Sequence, residues 1–147
     1  MNRGQPVGRE NAAQYFDAHR YAFERVVEEV QLCQPPYGTV GSRSEFECSS
    51  PNGDEAKLRT AISSAEAIWL NVAYDRPEGA ADRSLSSVGI VVHYRGLSYS
   101  GQVEQFIYEF AAADNATYQR REGSSAVVER EPLTQAPHHW YWWKIDR

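Results

Sequence analysis

The stretch His138-His139-Trp140-Tyr141-Trp142-Trp143-Lys144-Ile145-Asp146 carries three of the four tryptophans in this chain of 147 residues. Alternate side chains of a strand point to opposite faces. Trp140 and Trp142 then share one face, and Tyr141, Trp143 and Ile145 share the other. Both sets are apolar, so the segment is expected inside a sheet with cover on each side. What covers Trp140 and Trp142 is the functional question.

Working back from this stretch, the preceding sequence reads as further strands. Glu66–Asp75 alternates Ile68, Leu70, Val72 and Tyr74 with Trp69, Asn71, Ala73 and Asp75. Ser87–Arg95 alternates Val88, Ile90, Val92 and Tyr94 with Gly89, Val91, His93 and Arg95. Ser125–Glu131 is a shorter strand. Gln102–Ala112 reads two ways. As a strand it sets Phe106, Tyr108 and Phe110 against Gln105, Ile107 and Glu109; as a helix it gathers Val103, Phe106, Ile107, Phe110 and Ala111 on one stripe. Its Val, Ile, Phe and Tyr content favours the strand.

The first third is helical. Ala12, Phe16, Phe23, Val26, Val27, Val30 and Cys33 fall on one stripe at helical spacing. Asn11 and Gln14 form a capping-box-like start, and Pro35-Pro36 ends the run. His19 lies at the edge of the stripe and reads as a half-exposed helix residue. Ser44, Phe46 and Cys48 suggest a brief edge strand. Asp54 is placed to cap a short second helix over Glu55–Ser64, with Leu58, Ala61, Ile62 and Ala65 inward.

The sequence therefore predicts an α+β fold: one long N-terminal helix packed on a four- to five-stranded, mainly antiparallel sheet, with a short second helix. Short polar connections favour antiparallel neighbours, because a parallel pair needs a crossover of about a dozen residues. The architecture is analogous to helix-over-sheet domains of the cystatin or NTF2 type, although no motif identifies either family. Residues 1–8 read as a disordered arm and 9–147 as a single domain.

Composition bounds the function. The net charge is −5 and the basic residues are scattered. A nucleic-acid binder needs a cationic stripe to displace counterions, and none is visible. An acidic chain more naturally meets a basic protein or a cationic ligand. No run of about 18 apolar residues exists, so no membrane span is expected. The start, Met1-Asn2-Arg3-Gly4-Gln5-Pro6, has no apolar run and does not read as a signal peptide. Two placements follow: cytoplasmic, or periplasmic or secreted with a leader removed.

Cys33 and Cys48 stand 15 residues apart around a polar loop with Pro35-Pro36. They read either as a disulfide or as two buried thiols; a bridge favours export. His19, His93, His138 and His139 lack metal-ligand spacing, so no metal and no cofactor is expected. Gly96-Leu97-Ser98-Tyr99-Ser100-Gly101 is not a nucleophile elbow, because G-x-S-x-G would need glycine at 100; it reads as a hairpin turn. Asn115-Ala116-Thr117 is formally a glycosylation acceptor.

Two readings of function remain. In the first, a non-enzymatic module binds a protein partner, a second copy or a small ligand through an aromatic sheet face made of Trp69, Asn71, His93, Trp140 and Trp142. In the second, a small-molecule enzyme of isomerase or lyase type uses His93 and Glu109 as an acid/base pair. The pair requires the two side chains within about 6 Å, on the same face.

Overall fold

The computed structural model describes residues 2–36, 38–76, 83–97, 100–113, 119–122 and 127–146. Helix α1 is Ala12–Cys33, and the whole predicted stripe is buried along it. Its start departs from the capping box. The chain enters through a 3-10 turn, Arg9–Asn11, and the Asn11 side chain donates back to the Val7 carbonyl at 3.1 Å instead of capping the helix. The C-terminus closes through Gln34, left-handed at φ 52°, whose N–H reaches the Val30 carbonyl at 2.8 Å. The prolines that follow have no N–H with which to continue the ladder.

Helix α2, Glu55–Ser64, begins as predicted. The Asp54 carboxylate accepts the N–H groups of Ala56 and Lys57 at 2.8 and 3.3 Å. Leu58, Ala61, Ile62 and Ala65 are buried. A Cys33–Cys48 disulfide ties the end of α1 to the loop before α2. Gly53 lies so close to that end that a Cβ there would stand 2.2 Å from the Cys33 Cα. The alternation at Ser44–Cys48 does not make a strand. Phe46 instead packs against the core, with the Arg59 guanidinium 4.7 Å from its ring.

The strands are β1 (Asn2–Arg3), β2 (Gly38–Val40), β3 (Trp69–Tyr74), β4 (Leu85–Leu97), β5 (Ser100–Ala113), β6 (Gln119–Glu122), β7 (Val127–Pro132) and β8 (His138–Asp146). They form one antiparallel sheet in the order β2-β3-β4-β5-β8-β7-β6, with β1 running beside β4. Six strands of four or more residues make its body, and β1 and β2 add short pieces. The expected four to five was low because Gln119-Arg120-Arg121-Glu122 has no apolar alternation to betray a strand. The segment 102–112 is strand, paired with β4 on one side and β8 on the other. Gly96 opposes Gly101 in the predicted hairpin, whose residues 98–99 lie outside the described ones, as does the Asn115 tripeptide.

Directly opposed residues of an antiparallel pair share a face. Leu70 opposes Ile90, Ile90 opposes Phe106, and Phe106 opposes Trp142; Tyr108 opposes Trp140. This is the face that carries the helices. Trp140 lies 5.2 Å from Phe16 and 6.1 Å from Phe23 between ring centroids, and Phe106 lies 5.2 Å from Phe23. Leu58 and Ile62 of α2 join the same core cluster. Trp140 and Trp142 are therefore core residues, which corrects the expectation that they look away from α1. Trp143 and Ile145 take the other side.

Residues 1–8 were expected as a disordered arm; in the structure Asn2–Arg3 form a two-residue strand and Val7 and Gly8 are bonded to a side chain of the sheet. Asn2 and Arg3 pair with Arg95 and Tyr94. Val7 and Gly8 donate their N–H groups to the two oxygens of Glu104 at 3.0 and 2.9 Å, and the Trp142 indole donates to the same carboxylate at 3.0 Å. Glu104 is 1% exposed. A buried carboxylate survives only with its lone pairs occupied, and here three N–H groups occupy them. Among the described residues, no helix is long and apolar enough to cross a membrane.

Two stability predictions follow from these contacts. Glu104→Ala should cost about 3–5 kcal/mol in denaturant unfolding, because it strands the Trp142 donor and frees the arm. Glu104→Gln, which keeps an acceptor oxygen, should cost less, and amide exchange at Val7 and Gly8 should rise in both. Reduction of Cys33–Cys48 should lower stability by about 3 kcal/mol in the chain-entropy model, measured by the same melts with and without reductant.

Candidate functional site

The sheet face opposite the helices is the candidate surface. It is built from Trp69, Asn71 and Ala73 on β3, Ser87, Gly89 and Val91 on β4, Gln105, Ile107 and Glu109 on β5, and Tyr141 and Trp143 on β8. Val91, Ile107 and Tyr141 are buried but stand outside the cluster that contains the helices. Among the described residues, neither helix covers this face.

Its floor is a line of neutral amides. The Trp69 indole donates to the Asn71 oxygen at 3.2 Å, and the Asn71 amide donates to the Gln105 oxygen at 3.1 Å. Gln105 and Asn71 come from strands on either side of β4, so their side chains must cross it. Gly89 makes the crossing possible, since a Cβ there would stand 2.4 Å from the Gln105 oxygen. The result is a groove of about 410 Å³, floored by Asn71, Gly89 and Gln105 and walled by Ile107 and Trp143.

Beside the groove, Arg130 on β7 opposes Trp143. Its guanidinium lies 3.8 Å from the Tyr141 ring centroid and bonds the Glu109 carboxylate at 2.9 Å. The pair neutralises the charge of this region. The Arg130 Nε and Trp143 Nε1 donors are buried with no hydrogen-bond partner among the described residues. Burial pushes the Tyr141 phenol above its ordinary value; the Arg130 cation opposes that shift and the Glu109 carboxylate adds to it.

Of the residues named from sequence, Trp69 and Asn71 are on this face and touch each other. His93 is not. The register breaks between Val91 and His93, where β4 carries one extra residue, and His93 then opposes Glu104 on the helix side. His93 is 3% exposed, and its Nδ1 meets the Gly4 carbonyl at 3.3 Å. Glu109 opposes Ser87, six residues along β4 from His93. At the rise of a strand that separates the two by roughly 20 Å, on opposite faces. The His93–Glu109 acid/base pair is not formed.

Trp143, Tyr141 and Arg130 were not singled out from sequence. Tyr141 and Trp143 have the parity complementary to Trp140 and Trp142, so a pattern that is apolar on both parities cannot assign them to this face, and Arg130 reaches it only by pairing with Trp143 across β7–β8. Glu104 was also missed, although a carboxylate within Val103-Glu104-Gln105-Phe106 is a local signal of a buried polar contact. Among the described residues, no three of His, Cys, Asp and Glu converge as a metal cluster would require.

The phenols of Tyr15 and Tyr74, like that of Tyr141, are held above the usual value near 10, in each case chiefly by burial. A raised folded-state value means stability is fully present below the unfolded value and is lost as the pH climbs through the folded one. Unfolding free energy should therefore fall above pH 10. Absorbance at the phenolate band should show these tyrosines ionising later than the others, with the lag abolished in denaturant.

In comparisons with known proteins, no family model, no curated protein and no solved structure matches the chain. Its function is therefore argued from the site and not from kinship.

Proposed function

We propose that this chain is a non-enzymatic binding module that receives a segment of another protein in the groove on the sheet face that neither helix covers. The observation that carries the reading is the groove between Asn71, Gly89, Gln105 and Trp143, beside the Trp143 and Arg130 donors that have no acceptor among the described residues. Interface cores are rich in Trp, Tyr and Arg and poor in unpaired charge, and this face has that make-up. The amides of Asn71 and Gln105 offer donors and acceptors to a peptide backbone, while Ile107 and Trp143 offer apolar walls. A small side-chain movement would turn the stranded indole and guanidinium N–H groups toward carbonyls of a bound segment.

The exported placement belongs to the same reading. A disulfide is compatible with an extracellular or periplasmic location, where thiols are oxidised. The net charge of −5 adds a long-range pull toward a basic partner.

The experiment is selection of binding peptides from a random library on the purified, oxidised chain. Selected peptides should lose about tenfold or more in affinity toward Trp143→Ala and toward Ala73→Arg, which fills the groove. They should bind more weakly as salt rises if their charge is basic. Peptides that bind both variants as tightly as the parent chain would overturn the reading. So would a library that yields no binder while the chain self-associates through this face, measured by sedimentation across concentration.

A further inference from the structure

We propose that a second cleft, on the helix side of the sheet between α1 and the start of β8, binds a small organic ammonium ion with a flat apolar body. The cleft is about 480 Å³, within the usual size of small-molecule sites. It lies across the sheet from the docking face and does not depend on that reading.

One wall is aromatic. Trp140 and Tyr108 meet at 66° with centroids 5.2 Å apart, and the Tyr108 ring stacks on the His139 imidazole at 5.0 Å and 8°. This corner exists because the β5–β8 register breaks after Tyr108. The break leaves the Glu109 carbonyl free of its ladder, and His139 Nδ1 takes it at 2.7 Å. A carbonyl only accepts, so Nδ1 carries a proton, and in the neutral imidazole Nε2 then holds the lone pair. Nε2 has no partner among the described residues and is open to receive an N–H from a ligand.

The facing wall is α1, which presents Arg20, Glu24, Glu28 and Gln31. Arg20 is already committed: it bonds Glu24 at 2.8 Å and lies over the Phe16 ring at 5.5 Å. The next cation on the helix, Arg25, is shared between Glu28 at 3.5 Å and the buried Glu29 at 3.1 Å. One negative charge is left over at this turn, and Glu28 is the carboxylate of the two that lines the cleft. Aromatic faces, an imidazole lone pair and a surplus carboxylate together describe a cation site, since an ammonium is drawn to ring faces and to carboxylates alike. An anion would find Arg20 already neutralised and would meet Glu28.

The test is calorimetric titration of the full oxidised chain with benzylammonium chloride, alongside benzyl alcohol and benzoate, and the same titrations followed in the indole and imidazole nitrogen resonances. Benzylammonium should saturate and move the His139 imidazole signals. Benzyl alcohol and benzoate should bind about tenfold more weakly or worse. Glu28→Gln should weaken benzylammonium roughly threefold, as should raised salt. Tyr108→Leu should weaken it by about tenfold, while Tyr108→Phe, which keeps the ring face, should bind as the parent chain does. Trp143→Ala, on the opposite face, should leave the titration unchanged. Benzoate binding as tightly as benzylammonium would overturn the proposal, as would no saturable binding at millimolar probe. Equal affinity in Glu28→Gln and Tyr108→Leu, with both folded by near-ultraviolet dichroism, would do so too.

Discussion

The carboxylate of Glu104 holds three parts of this molecule at one point. It accepts from the arm at Val7 and Gly8 and from the Trp142 indole of β8, and it projects from β5 itself. Without those donors it would be an unpaired charge in the core, and without it the indole would be an unpaired donor there. Each partner is therefore tolerable only in the presence of the other. The arrangement fixes the arm beside β4 and fixes β8 against β5 in a single register, because a shift by one residue would carry Trp142 to the other face.

That register places the aromatic mass of the protein. Phe16, Phe23, Phe106, Trp140 and Trp142 form one layer between α1 and the sheet. Side chains of this size each contribute about 1.5–3 kcal/mol by burial. The helix is consequently seated on the side where these rings point. The opposite side keeps Trp69, Tyr141 and Trp143, with Asn71 and Gln105 between them. The division into a covered face and an open face is a consequence of strand pairing, and the proposed docking surface is what the pairing leaves over.

Two irregularities in the ladder then shape what each side can do. The extra residue in β4 before His93 turns that imidazole from the open face to the helix side, where it meets the Gly4 carbonyl. This removes the titratable group that an acid/base reading of the open face required, and leaves neutral amides and aromatics, a composition suited to recognition. The break after Tyr108 does the opposite for His139. It releases the Glu109 carbonyl, which orients the ring and leaves its second nitrogen toward the cleft under α1. Bulges commonly re-aim side chains in this way.

The sequence alone determined the local elements. The stripe from Ala12 to Cys33 has one apolar face, so its burial was legible, as were the Asp54 cap and the alternation of β3 and β4. The two cysteines left a choice between a bridge and free thiols, and the structure joins them. What only the tertiary structure decided was which face of β8 meets the helix, where His93 points, and which groups the arm bonds. The physical reason is the same each time. Trp140-Tyr141-Trp142-Trp143 is apolar on both parities, so its pattern cannot choose a side. The choice is made by pairing with Phe106 and by bonds to Glu104, contacts that join residues far apart in the chain. A bulge inverts parity without altering composition, and the acceptor that the arm's N–H groups find, Glu104, lies about a hundred residues further along the chain.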